Sequence, residues 1–361
     1  MTVDRVEYWK VVVPCKPDTI NSPGIHDSLQ RHDPNLSSFD LGHKWIVRLR
    51  SSTGHFGVGE TGRSENQASV EACAKAICNY DLRQFKLNRL PLPDNEATYA
   101  FEVALLDLIG RILEVPVHQL LGGKVWNRVP VDYWMGRCTP EDTARRARIA
   151  RGLGFHGIKI KCTLEDPVVE RVDAIQENLP GSTVTLDPNE RFYTPEDTVD
   201  MARRLSGRSG IIFESPVPQG KLDWYTSLRG KIGIPIALHL IGIEIVLRAI
   251  KLDAADYYNL STGSPSDFVS CARLCEVAGC RVWHGSRMEF GILDMAHIHA
   301  AAASPACTLP SDFVGNLMRE DDLILDPIRI ENGEAVVPDA PGLGVELDLD
   351  ALERYRVREG A

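Results

Sequence analysis

Lys159 and Lys161 stand two residues apart in Gly157-Ile-Lys-Ile-Lys, a short β-rich run. Alternate residues of a strand share a face, so the two amines lie side by side and each disfavours the charge on the other. A lysine becomes a base near neutral pH in this way. Taken alone, Lys-Ile-Lys reads better as a pair of surface lysines at a strand end. Asp187 ends the next β-rich run (Val184-Thr-Leu) and opens Asp187-Pro-Asn189, and Glu214 does the same between Ile211-Ile-Phe and Ser215-Pro216. Either carboxylate by itself could cap a helix or hold a turn. Two of them fixed at adjacent strand ends suit Mg²⁺, with Mn²⁺ as a substitute, which takes a few carboxylates and completes its shell with water and substrate.

These side chains need a scaffold of regular period. Lys161 to Asp187 is 26 residues, Asp187 to Glu214 is 27, Glu214 to His239 is 25, and His239 to His284 is 45, about two shorter units. From Val129 onward β-rich runs alternate with helical stretches, the last run being Cys307-Thr-Leu. Eight such strands predict a parallel barrel, whose active site is built at the carboxyl ends of several strands. Upstream, residues 3–13 and 45–60 alternate apolar and polar positions and predict antiparallel strands, and 66–121 has a helical period. Between the strands, 14–39 has no period and reads as a lid, with Asn21, His26, Asp27 and Gln30 as its polar residues. After residue 325 the tail, residues 328–337 and then Pro341-Gly-Leu-Gly344, reads as a hairpin with a loop and is expected to return to the first domain. The expected division is 1–125, completed by 326–361, and a barrel over 126–325.

The 361 residues are 43% hydrophobic and 25% charged, as in packed globular proteins, and 40 Lys plus Arg against 50 Asp plus Glu give a net charge of −10. No basic cluster marks a nucleic-acid partner. No basic, apolar leader opens the chain and no run of about 18 apolar residues occurs, so a cytoplasmic location without membrane contact is expected. The nine cysteines lack the paired Cys-x-x-Cys spacing of zinc sites and are read as reduced, mostly buried thiols.

With those residues in place, the chain resembles the enolase superfamily, in its mandelate racemase and muconate lactonizing enzyme branch. The likeness runs through Gly57-Val-Gly-Glu60, Leu105-Leu-Asp-Leu-Ile-Gly-Arg111, Val115-Pro-Val-His-Gln-Leu-Leu-Gly-Gly123, Lys159-Ile-Lys161, Asp187-Pro-Asn189, Glu214-Ser-Pro216 and Pro341-Gly-Leu-Gly-Val-Glu-Leu-Asp348, in the family's order. It implies an α/β fold: a modified (β/α)7β TIM-like barrel with an α+β capping domain formed by the N-terminal region and the C-terminal tail. It also implies divalent-metal-dependent abstraction of the proton α to a carboxylate, and dimers or dimer-based assemblies. On this likeness Lys161 is the base, Lys159 lowers its pKa or touches the substrate carboxylate, and Asp187 and Glu214 hold Mg²⁺.

The sequence departs from that pattern at three strand ends. A third acidic ligand is replaced by His239, either a metal ligand, better suited to Mn²⁺ or Fe²⁺, or a substrate-facing or structural histidine. Asn259-Leu-Ser261 carries neither the lysine nor the aspartate of the family. His284, near the end of the seventh strand, is an acid or base or a structural histidine, and His297 and His299 are structural. Trp134, Arg137, Asn189 and Glu289 complete the expected mouth, an arginine there being able to grip a carboxylate by two hydrogen bonds. One supported base favours a dehydratase of a sugar acid or small hydroxy acid over a racemase, epimerase or cycloisomerase, because racemisation needs a base on each face. A non-catalytic metabolite-binding barrel is the reading from another class.

Overall fold

The structure, a computed structural model, describes residues 1–22, 25, 42–87, 89–313 and 315–358. His26, Asp27 and Gln30 of the expected lid lie outside them. Strands β1 (Val3–Val11), β2 (Lys44–Ser51) and β3 (Phe56–Glu60) form an antiparallel sheet in that order. Helices α1 (Gln67–Ile77) and α2 (Thr98–Leu113) cover it, and the helical period expected over 66–121 is broken between them. Pro91 and Pro93 in that gap lack the backbone donors that a helix needs.

α2 lies directly on β3. A Cβ on Gly57 would stand 2.2 Å from the Ala104 carbonyl oxygen, and one on Gly59 would stand 1.9 Å from that of Ala100, so the Gly-x-Gly spacing permits the close approach. Asp107 of α2, buried, accepts from the N–H groups of Val58 (2.9 Å) and Leu343 (2.8 Å) and pairs with Arg111 (3.0 Å). One carboxylate thereby ties the helix to the sheet and to the C-terminal tail.

The barrel comprises β5 (Tyr133–Met135), β6 (Gly157–Lys161), β7 (Thr183–Asp187), β8 (Ile211–Glu214), β9 (Ile236–Leu240), β10 (Tyr257–Leu260) and β11 (Arg281–His284), parallel neighbours in that sequence, after β4 (Arg128–Pro130). The eighth position is filled by irregular chain. Parallel bridges from Val282 to Cys307 and from Val131 to Ser311 close the ring. Between strands run α3 (Pro140–Gly152), α4 (Val168–Asn178), α5 (Pro195–Arg204), α6 (Leu222–Arg229), α7 (Ile243–Lys251) and α8 (Pro265–Val277), and α9 (Gly291–Ala302) follows β11. Three of these helices share a start signal. Thr139, Thr194 and Ser264 each precede a proline, and each hydroxyl accepts from the N–H of the aspartate three residues on.

The tail forms a hairpin, β12 (Ile330–Glu331) and β13 (Glu334–Val336), which pairs with β4 beside the barrel before the chain returns to the first domain. That return comes later in the chain: Val117 N–H donates to Gly342 O (2.8 Å) and Val12 N–H to Tyr355 O (3.0 Å). No helix among the described residues is long and apolar enough to cross a membrane.

Gly59→Ala should cost roughly 1–3 kcal/mol or more, because the added methyl must push a helix backbone off the sheet. Urea denaturation should show the loss; an unchanged midpoint would mean that α2 does not need this contact.

Candidate active site

Strand parity decides which side chains reach the barrel interior. The register Trp134↔Lys159↔Thr185 and Lys161↔Asp187 puts these residues on the inner face, and Ala237↔Tyr257 with His239↔Asn259↔Trp283 continues it. A cavity of about 170 Å³ opens at the carboxyl ends, lined by Trp134, Lys159, Lys161, Asn189, His239 and Asp312 from the barrel. Arg63 from the loop after β3, and Ser286, Arg287 and Met288 from the loop after β11, complete its wall.

Lys159 occupies the centre. Its Nζ donates to Asp312 Oδ2 (2.8 Å) and Glu214 Oε1 (2.9 Å) and lies 3.3 Å from Asp187 Oδ2. Burial alone would push this ammonium down, but Asp312, Glu214 and Asp187 override it and raise its pKa well above the ordinary lysine value. Lys159 is therefore a fixed positive charge. Lys161, one step nearer the mouth, donates to Asp187 Oδ2 and to Asn189 Oδ1 (3.1 Å).

Glu214 is fully buried. Burial would raise its pKa, but Lys159 and then His239 outweigh it and hold the group below its ordinary value. Its Oε1 also accepts from Asn259 Nδ2 (2.9 Å), and His239 Nδ1 lies 3.6 Å away. Its Oε2 is buried with no hydrogen-bond partner among the described residues. A buried carboxylate oxygen left open, beside Asp187 and an imidazole, fits a divalent cation, for which these three residues supply oxygen and nitrogen donors.

The other expected mouth residues divide. Trp134 and Asn189 line the cavity. Arg137 does not, because its guanidinium is forked onto Asp166 (2.7 Å to each oxygen) and reaches Thr163 Oγ1 at 3.2 Å. Glu289 is buried behind the wall, where it accepts from Ser286 Oγ and from the Arg287 N–H. Asn21 accepts from the Arg137 N–H (3.2 Å) and so fastens the described start of the expected lid to the end of β5.

His284 is displaced by parity. Trp283 faces inward, so His284 points between helices, stacked on His297 (3.9 Å between ring centroids) and Phe268 (4.4 Å), with Nδ1 on its neighbour Gly285 O (2.7 Å). Burial, then His297, depresses its pKa well below the ordinary value, so it stays neutral and away from the cavity. The next inward position is Gly285, where a Cβ would stand 2.1 Å from Asn259 Oδ1. His299 holds Leu343 O through Nε2 (3.0 Å) and accepts from His118 N–H (3.3 Å), a structural role.

Sequence reasoning missed Asp312, Asp132, Arg63 and Arg287. Asp312 lies 28 residues after His284, a further step of the same ladder, at the end of Cys307-Thr-Leu-Pro-Ser. Asp132 is buried below Lys159, and burial followed by Asp312 raises its pKa well above the carboxylate range. Nothing in spacing marks Arg63 or Arg287, which sit in loops.

Residues 141–351 match the family described as enolase C-terminal domain-like. Muconate cycloisomerase 1 of Rhodococcus opacus is 29% identical over 268 residues, 72% of each chain. Arabinonate dehydratase of Saccharolobus solfataricus is 27% identical over 278 residues, 71% of each chain. The crystal structure of N-succinyl Arg/Lys racemase from Bacillus cereus superposes with a TM-score of 0.85 at 20% identity, covering 99% of both chains.

Burial depresses His297 to about 3 and His299 to about 4. An unfolded histidine takes a proton near pH 6.5 that the folded one refuses, so stability is complete above that pH and is lost as pH falls toward 4. Each histidine should contribute a slope of about 1.4 kcal/mol per pH unit in that window. Urea midpoints between pH 7 and 4 should fall accordingly, and less steeply in His297→Phe; a flat profile would contradict the neutral assignments.

The matched segment, the barrel with its cap, and the relatives together place the chain in the enolase superfamily, in its mandelate racemase and muconate lactonizing enzyme branch.

Proposed function

We propose that the chain is a lyase that removes the proton α to the carboxylate of a small hydroxy acid or sugar acid with one base, Lys161. The carbanion then expels hydroxide from the neighbouring carbon, and where the α-carbon keeps a hydroxyl of its own the resulting enol tautomerises to a 2-keto acid. One observation carries the reading: Lys161 stands on the cavity wall, while β10 offers Asn259 and the chain after β11 offers Gly285, so neither strand presents a second base. Racemisation needs a base on each face, whereas elimination needs one base that afterwards returns its proton to the leaving oxygen.

The remaining residues fit supporting roles. Asp187, Glu214 and His239 would hold Mg²⁺ or Mn²⁺. When bound, the cation supplies positive charge against the oxyanion that develops on the substrate carboxylate. Lys159, pinned as an ammonium, stands beside Lys161 as a fixed positive charge. Asn189 orients the Lys161 amine, and Asn259 holds one oxygen of Glu214 so that the other stays free. His284 has no part in proton transfer in this reading. A cavity of about 170 Å³, below the range of drug-sized pockets, suits a small acid. Cycloisomerisation is the second reading, favoured by the relative of that name and equally compatible with one base.

Proton NMR in D₂O with Mn²⁺ or Mg²⁺, over a panel of hydroxy and sugar acids, tests the proposal. The α-proton signal should disappear as a 2-keto acid forms; exchange without dehydration would move the reading to an isomerase. Lys161→Ala should slow exchange about 10²- to 10⁴-fold with circular dichroism unchanged, and full exchange in that variant would remove Lys161 as the base. Calorimetric Mn²⁺ titration should find one site, lost in Glu214→Gln, and chelation should stop exchange. An undiminished site in Glu214→Gln would rule out this ligand set.

A further inference from the structure

Behind the wall of the reaction cavity, Glu289, Asp294 and His297 each offer one ligand atom, and these atoms all lie within 4.8 Å of one another. Asp294 and His297 stand three residues apart on α9 and so share a face of it, and Glu289 reaches that face from the loop before the helix. All three are buried, with at most 2% of their surface exposed. Their polar atoms are not used up. Asp294 Oδ2 accepts from the Gly315 N–H (3.2 Å), but its Oδ1 has no hydrogen-bond partner among the described residues, and neither ring nitrogen of His297 has one. Buried polar atoms are almost always paired, so three open ones in one cluster call for a partner.

The surrounding charges say what kind of partner that is. After burial, the strongest influences on Asp294 are three more carboxylates, Glu289, Glu60 and Asp322, and together they drive its pKa well above the ordinary range. Asp294 forms no ion pair among the described residues: Lys44 is paired with Glu60 and faces Glu289, and Arg319 donates to the carbonyls of Val13 and Met288. A buried carboxylate in that company either keeps a proton or takes a cation. A proton leaves the imidazole unexplained, because no hydrogen bond joins His297 to either acid. Burial holds His297 down at about 3, so the ring is neutral, and it faces the Gly263 carbonyl. A neutral imidazole with one nitrogen turned to a backbone carbonyl offers its other nitrogen to a metal.

We infer that Glu289, Asp294 and His297 hold a divalent transition-metal ion of the Zn²⁺ class, separate from the cation proposed at Asp187, Glu214 and His239. Two carboxylates and an imidazole in a closed place suit zinc better than Mg²⁺ or Ca²⁺, which prefer oxygen alone. The ion neutralises the crowded acids. Glu289 directly follows Ser286, Arg287 and Met288 of the cavity wall, so the ion fixes that wall from behind and ties it to α9. Because the donors are buried, the ion enters as the chain folds and does not exchange with cations added later. The inference is independent of the reaction proposed above.

Elemental analysis of protein produced in zinc-supplemented medium and then dialysed against EDTA tests this. One zinc per chain should remain in the unaltered protein and in Glu214→Gln, which lacks a donor of the other site. Asp294→Asn and His297→Gln, each checked by circular dichroism, should retain none; each deletes a single donor, so either one that folds serves. X-ray absorption at the zinc edge of the dialysed Glu214→Gln protein leaves this cluster unaltered, and it should show oxygen neighbours with one imidazole and no sulfur. Zinc absent from the unaltered protein, zinc kept by a folded Asp294→Asn or His297→Gln, zinc lost in Glu214→Gln, or a sulfur neighbour would each overturn the inference.

Discussion

A buried ammonium held by three carboxylates organises the interior of this barrel. Lys159 Nζ is within 3.3 Å of oxygens on Asp187 and Glu214, at the ends of β7 and β8, and on Asp312, in the irregular chain at the eighth barrel position. That ammonium could not stay in the interior alone, since an unpaired buried ion costs several kcal/mol. The carboxylates keep Lys159 charged, while burial and Glu214 raise the pKa of Asp312 against the pull of that ammonium. The arrangement sets the side chains around it: Asp187 is shared with Lys161, and Glu214 keeps one oxygen for Lys159 and Asn259 and one open.

The cap is fastened to the barrel by similar means. Lys44 and Glu60, both fully buried, pair across β2 and β3, and Glu60 also accepts from the N–H groups of Phe290 (2.7 Å) and Leu293 (3.0 Å). Those donors belong to the first turn of α9, where free N–H groups and the helix dipole favour a negative charge. The cap therefore holds the helix whose preceding loop carries Ser286, Arg287 and Met288. Arg63 lies just beyond Glu60 in the chain.

What could be read without coordinates followed from periodicity. The step of about 25 residues between polar strand ends is dictated by strand plus helix length, and it located Lys161, Asp187, Glu214 and His239 at one end of a barrel. Asp312 continued the ladder but followed Pro310 in irregular chain, so no strand pattern pointed to it. His284 failed by one residue, because a shift of one reverses the face and only neighbour register reveals it. Arg63 and Arg287 sit in loops, where position depends on tertiary packing and not on period. The hairpin near residue 330 was legible as a hairpin, but its partner β4 was not, since edge pairing is a long-range choice.

The contact between Gly285 and Asn259 has an evolutionary consequence. Asn259 reaches Glu214 through space that any side chain at 285 would fill. A lysine at 259 would lose the amide that steadies Glu214, and a larger residue at 285 would evict that amide. The two positions are thus coupled: a larger group at either one would have to be matched by a change at the other and at the carboxylate between them, so this arrangement is hard to leave by single substitutions.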